Sequence, residues 1–198
     1  VAGSVGAILL AAGASRRMGS CKQLLDLEGK TVLARCLETL FAGGIGEVVV
    51  VVAPSGDRVA DEAARYPVRV VRNSDPEGDM AASIRTGRDA LSPDVSGVLI
   101  AQCDYPLLTS ETIGRLAREH TLTPERIVIP CHDGRRGHPP LVPRRLLDLL
   151  EHPLILRDLM RAHQDLVRHL ELPDEGILID MDTPEDYRRI AAQWGTAS

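Results

Sequence analysis

The chain has 198 residues, a formal net charge of −5, 44% apolar residues and 3% aromatic ones. That length suits one well-buried domain, spanning 1–198, and the composition points to a core of Val, Leu, Ile and Ala. The negative charge argues against a general nucleic-acid binder, which would carry a basic face. No apolar run reaches a membrane-spanning length, so no membrane partner is expected, and the start lacks the charged-then-apolar layout of a signal peptide. Cys21, Cys36, Cys103 and Cys131 are scattered without CxxC spacing, which suits reduced thiols in a cytoplasmic protein better than a zinc site.

Residues 5–10 form a short unbroken apolar run and are predicted to be a buried strand. The stretch that follows reads Leu10-Ala11-Ala12-Gly13-Ala14-Ser15-Arg16-Arg17-Met18-Gly19-Ser20-Cys21-Lys22. Its first side chains are too small to hold a ligand at a distance. Gly13 and Gly19 can take backbone angles that turn main-chain N–H groups toward one point. Two arginines and a lysine then supply fixed positive charge. Close backbone approach followed by cations is what a polyphosphate requires. The plainer alternative is a strand-to-helix turn with solvated basic residues. Its place after the first buried strand favours a ligand site, because open α/β sheets bind ligands beyond the carboxyl ends of their strands. The stretch is neither a Walker loop nor a GxGxxG dinucleotide fingerprint.

Beyond it, residues 24–27 are short and apolar. Val32, Leu33, Cys36, Leu37 and Leu40 recur at helical spacing until Gly43 and Gly44 stop the helix. Residues 47–53 carry five valines in a row and read as a strand with no wet face. A short helix to about residue 65 and a strand at 68–71 follow. This alternation predicts an α/β fold: a Rossmann-like, mostly parallel sheet with helices on both faces.

Residues 73–87 read NSDPEGDMAASIRTG, a loop entering a helix near Met80. Gly78 stands just before that helix, with Ser83 and Arg85 in its first turns. Free N–H groups there, with the serine hydroxyl, would read the polar edge of a flat base; a capped helix with a solvated serine is the alternative. Residues 98–101 form a fourth strand that delivers Asp104 to the ligand side of the sheet. Mg²⁺ takes one or two carboxylates together with water and phosphate oxygens, and Asp104 is placed to be one of them. It is not needed to cap the next helix, since Thr109 or Ser110 can do so.

Residues 125–130 read as another strand, followed by Cys131-His132-Asp133-Gly134-Arg135-Arg136-Gly137-His138. The spacing matches no standard zinc pattern, and two arginines beside a histidine better suit an anionic acceptor. Amphipathic helices are expected at 143–150 and 155–163, an edge strand at 167–172 and a last apolar strand at 176–180. Thr183 and Pro184 open the terminal helix, so Asp180 and Asp182 could each be a helix cap.

The first loop, continued through Gln23-Leu24-Leu25, resembles the LAAGxSxRMGxxKxLL signature of the MobA-like nucleotidyltransferases, and within them the molybdenum cofactor cytidylyltransferase branch. The resemblance implies a nucleotide-diphospho-sugar transferase type of fold and a cytoplasmic transferase that passes CMP from CTP to a molybdopterin acceptor. It assigns nucleotide contacts to Leu10, Ala11, Ala12, Gly13, Ser15, Arg17, Lys22, Gly78 and Ser83. Gly78-Asp79-Met80-Ala81-Ala82-Ser83 is one residue longer than the commoner Gly-Met-x-x-Ser form. Cys103-Asp104-Tyr105-Pro106 with Thr109 resembles a CDxPxxT magnesium motif. Asp182 in the DxDTPEDY element then aligns as the second magnesium ligand, with Asp180 its competitor.

Arg136, Gly137 and His138 match an acceptor-side Gly-x-Arg-Gly-x-Pro segment, and Lys22, Arg17 and Asp104 carry the catalytic roles. Ala12, where guanylyltransferases tend to have glycine, points to CTP over GTP. A molybdoenzyme receiving the product is a further implied partner. The HDAAR segment of methylerythritol-phosphate cytidylyltransferases is absent. Two other readings stay open: an NAD(P)H-dependent reductase on the same fold, and a regulator that only binds nucleotide.

Overall fold

The five successive valines, Val48 to Val52, are each 2% exposed or less, so the strand that carries them is covered on both faces. Burying a valine contributes roughly 1.5–3 kcal/mol, enough to draw this run into the middle of a sheet. The computed structural model describes residues 4–13, 21–74 and 79–195. Its strands, in chain order, are β1 (Ser4–Ala11), β2 (Glu47–Val52), β3 (Arg69–Arg72), β4 (Val95–Gln102), β5 (Ile127–His132), β6 (Arg135–Arg136), β7 (Leu141–Pro143) and β8 (Val167–Glu171). The first four are parallel, in the order β3-β2-β1-β4. β7 joins them antiparallel, between β4 and β5. β6 pairs antiparallel with the end of β5, and β8 lies parallel to β5. The sheet is therefore mixed, with a parallel half that matches the expectation.

The helices are α1 (Val32–Ala42), α2 (Asp57–Ala63), α3 (Met80–Ala90), α4 (Ser110–Leu122), α5 (Arg144–Leu147), α6 (Leu156–Ala162) and α7 (Pro184–Gly195). Alternation along the strands divides the core. Leu9, Val50 and Leu99 face Leu33, Leu37, Ile113, Leu116 and Ile190 of α1, α4 and α7. Ile8, Val49, Val51 and Ile100 face Ile84, Leu146, Leu147 and Leu159 of α3, α5 and α6. Two apolar faces on each central strand explain why their sequence shows no period of two. No helix among the described residues is long and apolar enough to cross a membrane.

Gly87 sets the depth of α3. A Cβ there would lie 2.5 Å from Ile8 Cγ2, so only glycine allows the helix this close to β1. The start of α3 thus reaches the carboxyl ends of the parallel strands. Its cap is Asp79, whose side chain accepts the Ala82 N–H.

Two predicted elements differ. The helix expected at 143–150 is confined to Arg144–Leu147, because Pro143 is still paired in β7 with Gly97. The buried Arg88 guanidinium then donates to the Leu147, Asp148 and Leu150 carbonyls, satisfying acceptors that a longer helix would have used internally. The strand expected at 176–180 is absent, replaced by a 3-10 turn at Glu175–Leu178.

Asp174, 7% exposed, makes that turn. Its Oδ2 accepts from the Thr109 N–H at 3.1 Å, the Thr109 hydroxyl at 2.7 Å and the Thr112 hydroxyl at 2.6 Å. Its Oδ1 accepts from the Gly176 N–H at 2.9 Å. One buried carboxylate thereby ties the turn to the start of α4. Thr109, placed by resemblance in a magnesium motif, is a cap of α4 and a partner of Asp174. Beyond the turn the Met181 N–H donates to the Asp104 carbonyl at 2.9 Å, which draws the chain to the end of β4.

Asp174→Ala strands several buried donors and is expected to cost about 2–4 kcal/mol of stability. Urea unfolding at neutral pH measures it; a loss below about 1 kcal/mol would mean the carboxylate is not the staple.

Candidate active site

At the carboxyl ends of β1 and β4, beside the start of α3, the chain leaves a cleft of about 170 Å³. Leu10, Ala12, Gly13, Lys22, Ser83 and Asp104 line it together with Gln23, Met80, Gln102 and Cys103. Most of the nucleotide contacts expected from sequence are therefore gathered in one place. Ala11 is buried in the strand end beneath them. Ser15, Arg17 and Gly78 lie outside the described residues.

The cleft is organised by Lys22. Its Nζ lies 3.0 Å from Asp104 Oδ2 and 3.0 Å from Asp182 Oδ1, and it donates to the Met181 carbonyl at 3.4 Å. Carboxylates 78 positions apart (182 − 104) thus meet on one ammonium. Burial of Lys22 opposes its charge, but Asp104 and then Asp182 outweigh this and hold it above the ordinary lysine range. It stays cationic at neutral pH.

Asp182 is positioned by the start of α7. The Asp186 side chain accepts from the N–H groups of Asp182 and Thr183 and from the Thr183 hydroxyl, while the Asp186 N–H donates back to that hydroxyl. This is a reciprocal capping box, and its hydrogen bonds from Thr183 hold the Asp186 carboxyl below the usual carboxylate range. Asp180 is exposed. Its charge acts on Tyr105 and His138.

Asp104 Oδ1 is buried and has no hydrogen-bond partner among the described residues. An orphaned carboxylate oxygen beside a second carboxylate fits a hard divalent cation that completes its shell with water and phosphate. Among the described residues no group of three or more His, Cys, Asp or Glu side chains is arranged to hold a metal, so such an ion would rely on substrate oxygens.

The remaining walls are neutral. The Cys103 thiol is held far above its ordinary range by a hydrogen bond with Cys36 and by burial, which removes it as a nucleophile. Burial, then Asp180, Asp104 and Asp182, push the Tyr105 hydroxyl well up. His138 packs its ring 4.9 Å from that of Tyr105, and its Nδ1 lies 3.2 Å from Gln102 Nε2. Burial pushes the His138 imidazole down, against the pull of Asp104 and Asp180.

Sequence reasoning missed Gln23. Its buried amide donates to the Ala11 carbonyl at 3.0 Å and the Gly13 carbonyl at 3.1 Å, clamping the start of the first loop. The available signal was a buried-type amide directly after the lysine. Ser83 is not solvated: it is 4% exposed and accepts from Asn73 Nδ2 at 3.0 Å, which leaves its own proton to offer the cleft.

The expected acceptor segment divides. His138 belongs to the neighbourhood of Gln102 and Tyr105. Gly137 packs where a Cβ would come 2.5 Å from Ile177. The Arg136 side chain lines a different cavity; β6 ends there, and His138 beyond it is held through its N–H to the Ile177 carbonyl.

A mixed α/β sheet whose parallel half opens a cleft at a topological switch point, with a lysine in it, is an arrangement suited to binding nucleotides. Residues 7–171 match the MobA-like NTP transferase domain, and the chain belongs to that family. It is 32% identical over 195 residues to the nicotine blue oxidoreductase of Paenarthrobacter nicotinovorans, covering 92% of this chain and 94% of that one. It is 24% identical over 188 residues to the molybdenum cofactor cytidylyltransferase of Escherichia coli K12, covering 93% and 94%. The crystal structure of Rv0371c from Mycobacterium tuberculosis H37Rv superposes with a TM-score of 0.84 at 26% identity, covering 97% and 99%.

The low folded pKa of His138 has a stability consequence. Its unfolded value is about 6.5, so between that pH and the lower folded value the unfolded chain binds the extra proton. Stability is then complete above about pH 6.5 and falls as the pH drops through the window. Unfolding midpoints in urea at pH 7.5 and 5.5 should differ more for the wild type than for His138→Gln; equal differences would count against a buried neutral ring.

Proposed function

We propose that the cleft transfers CMP from CTP to the terminal phosphate of a molybdopterin-type acceptor, releasing pyrophosphate. The observation that carries this reading is the meeting of Asp104 and Asp182 on Lys22 at the strand ends, with Asp104 Oδ1 left unpaired. The family match, the relative named as a molybdenum cofactor cytidylyltransferase and the LAAGxSxRMG loop support it. Ala12, on the cleft wall, supports CTP over GTP, because its methyl group narrows the space for a base.

In this mechanism an acceptor phosphate oxygen attacks the α-phosphorus in line. The new O–P bond forms as the bond from the α-phosphorus to the bridging oxygen breaks, and pyrophosphate carries away the electron pair. Asp104 and Asp182 would hold Mg²⁺, which supplies charge neutralisation at the phosphate oxygens when bound. Lys22, with Arg17 given the same role by the resemblance of the first loop, would offset the charge that develops on the α-phosphate and the leaving group, a positioning and electrostatic task with no covalent intermediate. The acceptor phosphate is already ionised at neutral pH, so no general base is required, and a neutral His138 suits that. Ser83 and the start of α3 read the base, with Met80 beside it, half-exposed at the mouth of the cleft.

Lys22→Ala and Asp104→Asn should each lower turnover by about 10²–10³ while leaving the folded state intact. Pyrophosphate release from CTP with Mg²⁺ and molybdopterin, followed alongside circular dichroism, is the measurement. Wild-type turnover in either variant counts against the role given to it.

The second reading is an NAD(P)H-dependent reductase, favoured by the 32% identity to a protein named nicotine blue oxidoreductase. Titration of CTP, GTP and NADPH, with and without Mg²⁺, separates the two. Oxidation of NADPH by an added dye acceptor, without pyrophosphate formation from CTP, would favour the reductase.

A further inference from the structure

On the α6 side of the sheet the molecule carries a second, larger concavity of about 700 Å³, which shares no lining residue with the Lys22 cleft. Three arginines line it: Arg136 from β6 and Arg157 and Arg161 from α6. Arg157 and Arg161 are four residues apart, so they project from one helix face about one turn from each other. None of the three has a hydrogen-bond or ion-pair partner among the described residues. Elsewhere Arg72, Arg88 and Arg168 are each matched to a carboxylate.

The acidic side chain lining the cavity is Asp165, beside His169 and the apolar wall of Met160. Three arginines against one aspartate leave a local charge of 3 − 1 = +2, in a chain whose net charge is −5. Like charges lining one concavity repel one another, so their grouping has no stabilising value of its own. They are suited to an anion, and their planar forks match phosphate oxygens two at a time. An open concavity of this size has room for a small molecule. An extended nucleic acid would need a basic stripe that the acidic remainder of the chain does not offer.

We propose that this cavity is a second binding site, for a small molecule carrying two or more phosphate groups. The inference stands apart from the transfer reading, because neither Arg157 nor Arg161 touches the first cleft.

The test is calorimetric titration of the full chain with pyrophosphate, without divalent cations, in the wild type, in Arg157→Gln/Arg161→Gln and in Lys22→Ala. Both arginines are exposed, and circular dichroism confirms that the double variant is folded. The double variant should weaken one binding event about 100-fold, while Lys22→Ala leaves that event unchanged. Raising the salt from 50 to 500 mM should weaken the same event. A double variant that binds pyrophosphate as the wild type does, or a wild type that binds none at millimolar concentration, overturns the proposal. Loss of a different event in Lys22→Ala bears on the first cleft alone, so the two readings fail separately.

Discussion

A single ammonium held between two carboxylates is the contact on which the geometry of the cleft depends. Lys22 follows the first strand, Asp104 ends the fourth, and Asp182 precedes the terminal helix, so this ion triad closes three distant parts of the chain on one point. It is a poor device for stability. Taking such groups out of water costs several kcal/mol per ion, and their attraction does little more than offset it. An arrangement that contributes so little to folding is better understood through what it can bind. Among the described residues two carboxylates meet one lysine, and that surplus of negative charge would repel a triphosphate unless cations accompanied it.

The surrounding side chains are fixed in neutral forms. Cys103 and Tyr105 keep their protons, and His138 sheds its own below the ordinary range. Among the described residues the variable charge of the cleft is thereby confined to its carboxylates, the lysine and whatever enters. This arrangement suits chemistry driven by position and field more than chemistry driven by a protein nucleophile. It also contrasts with the arginine-lined cavity behind β6. Among its described residues the chain keeps a carboxylate-bearing cleft and an arginine-lined one apart, with no lining residue in common.

Much of this was legible before the structure. The apolar run ending at Ala101 had to deliver Asp104 to the ligand side of a parallel sheet, and the small residues after Leu10 had to bring backbone to the cleft. Asp182 was legible only through family resemblance, since the Met181 hydrogen bond that places it is a contact between distant segments. The apolar Ile177, Leu178 and Ile179 looked like a strand because periodicity cannot register that Asp174 turns the backbone just before them. Arg136 and His138 are two residues apart, and sequence proximity suggested a common purpose; β6 ends at Arg136, so the chain leaves the strand before His138 and the two side chains have different neighbours. Gln23 carried a weaker signal still, an amide whose role appears only once the Ala11 and Gly13 carbonyls are found pointing at it.

The matched family span ends at residue 171, eleven positions before Asp182 (182 − 171). Half of the acidic pair therefore lies beyond that span, tied back to the sheet through the Met181 backbone and set by the box at Thr183. A substitution in this last stretch would retune the field over the cleft while leaving the strands beneath it untouched.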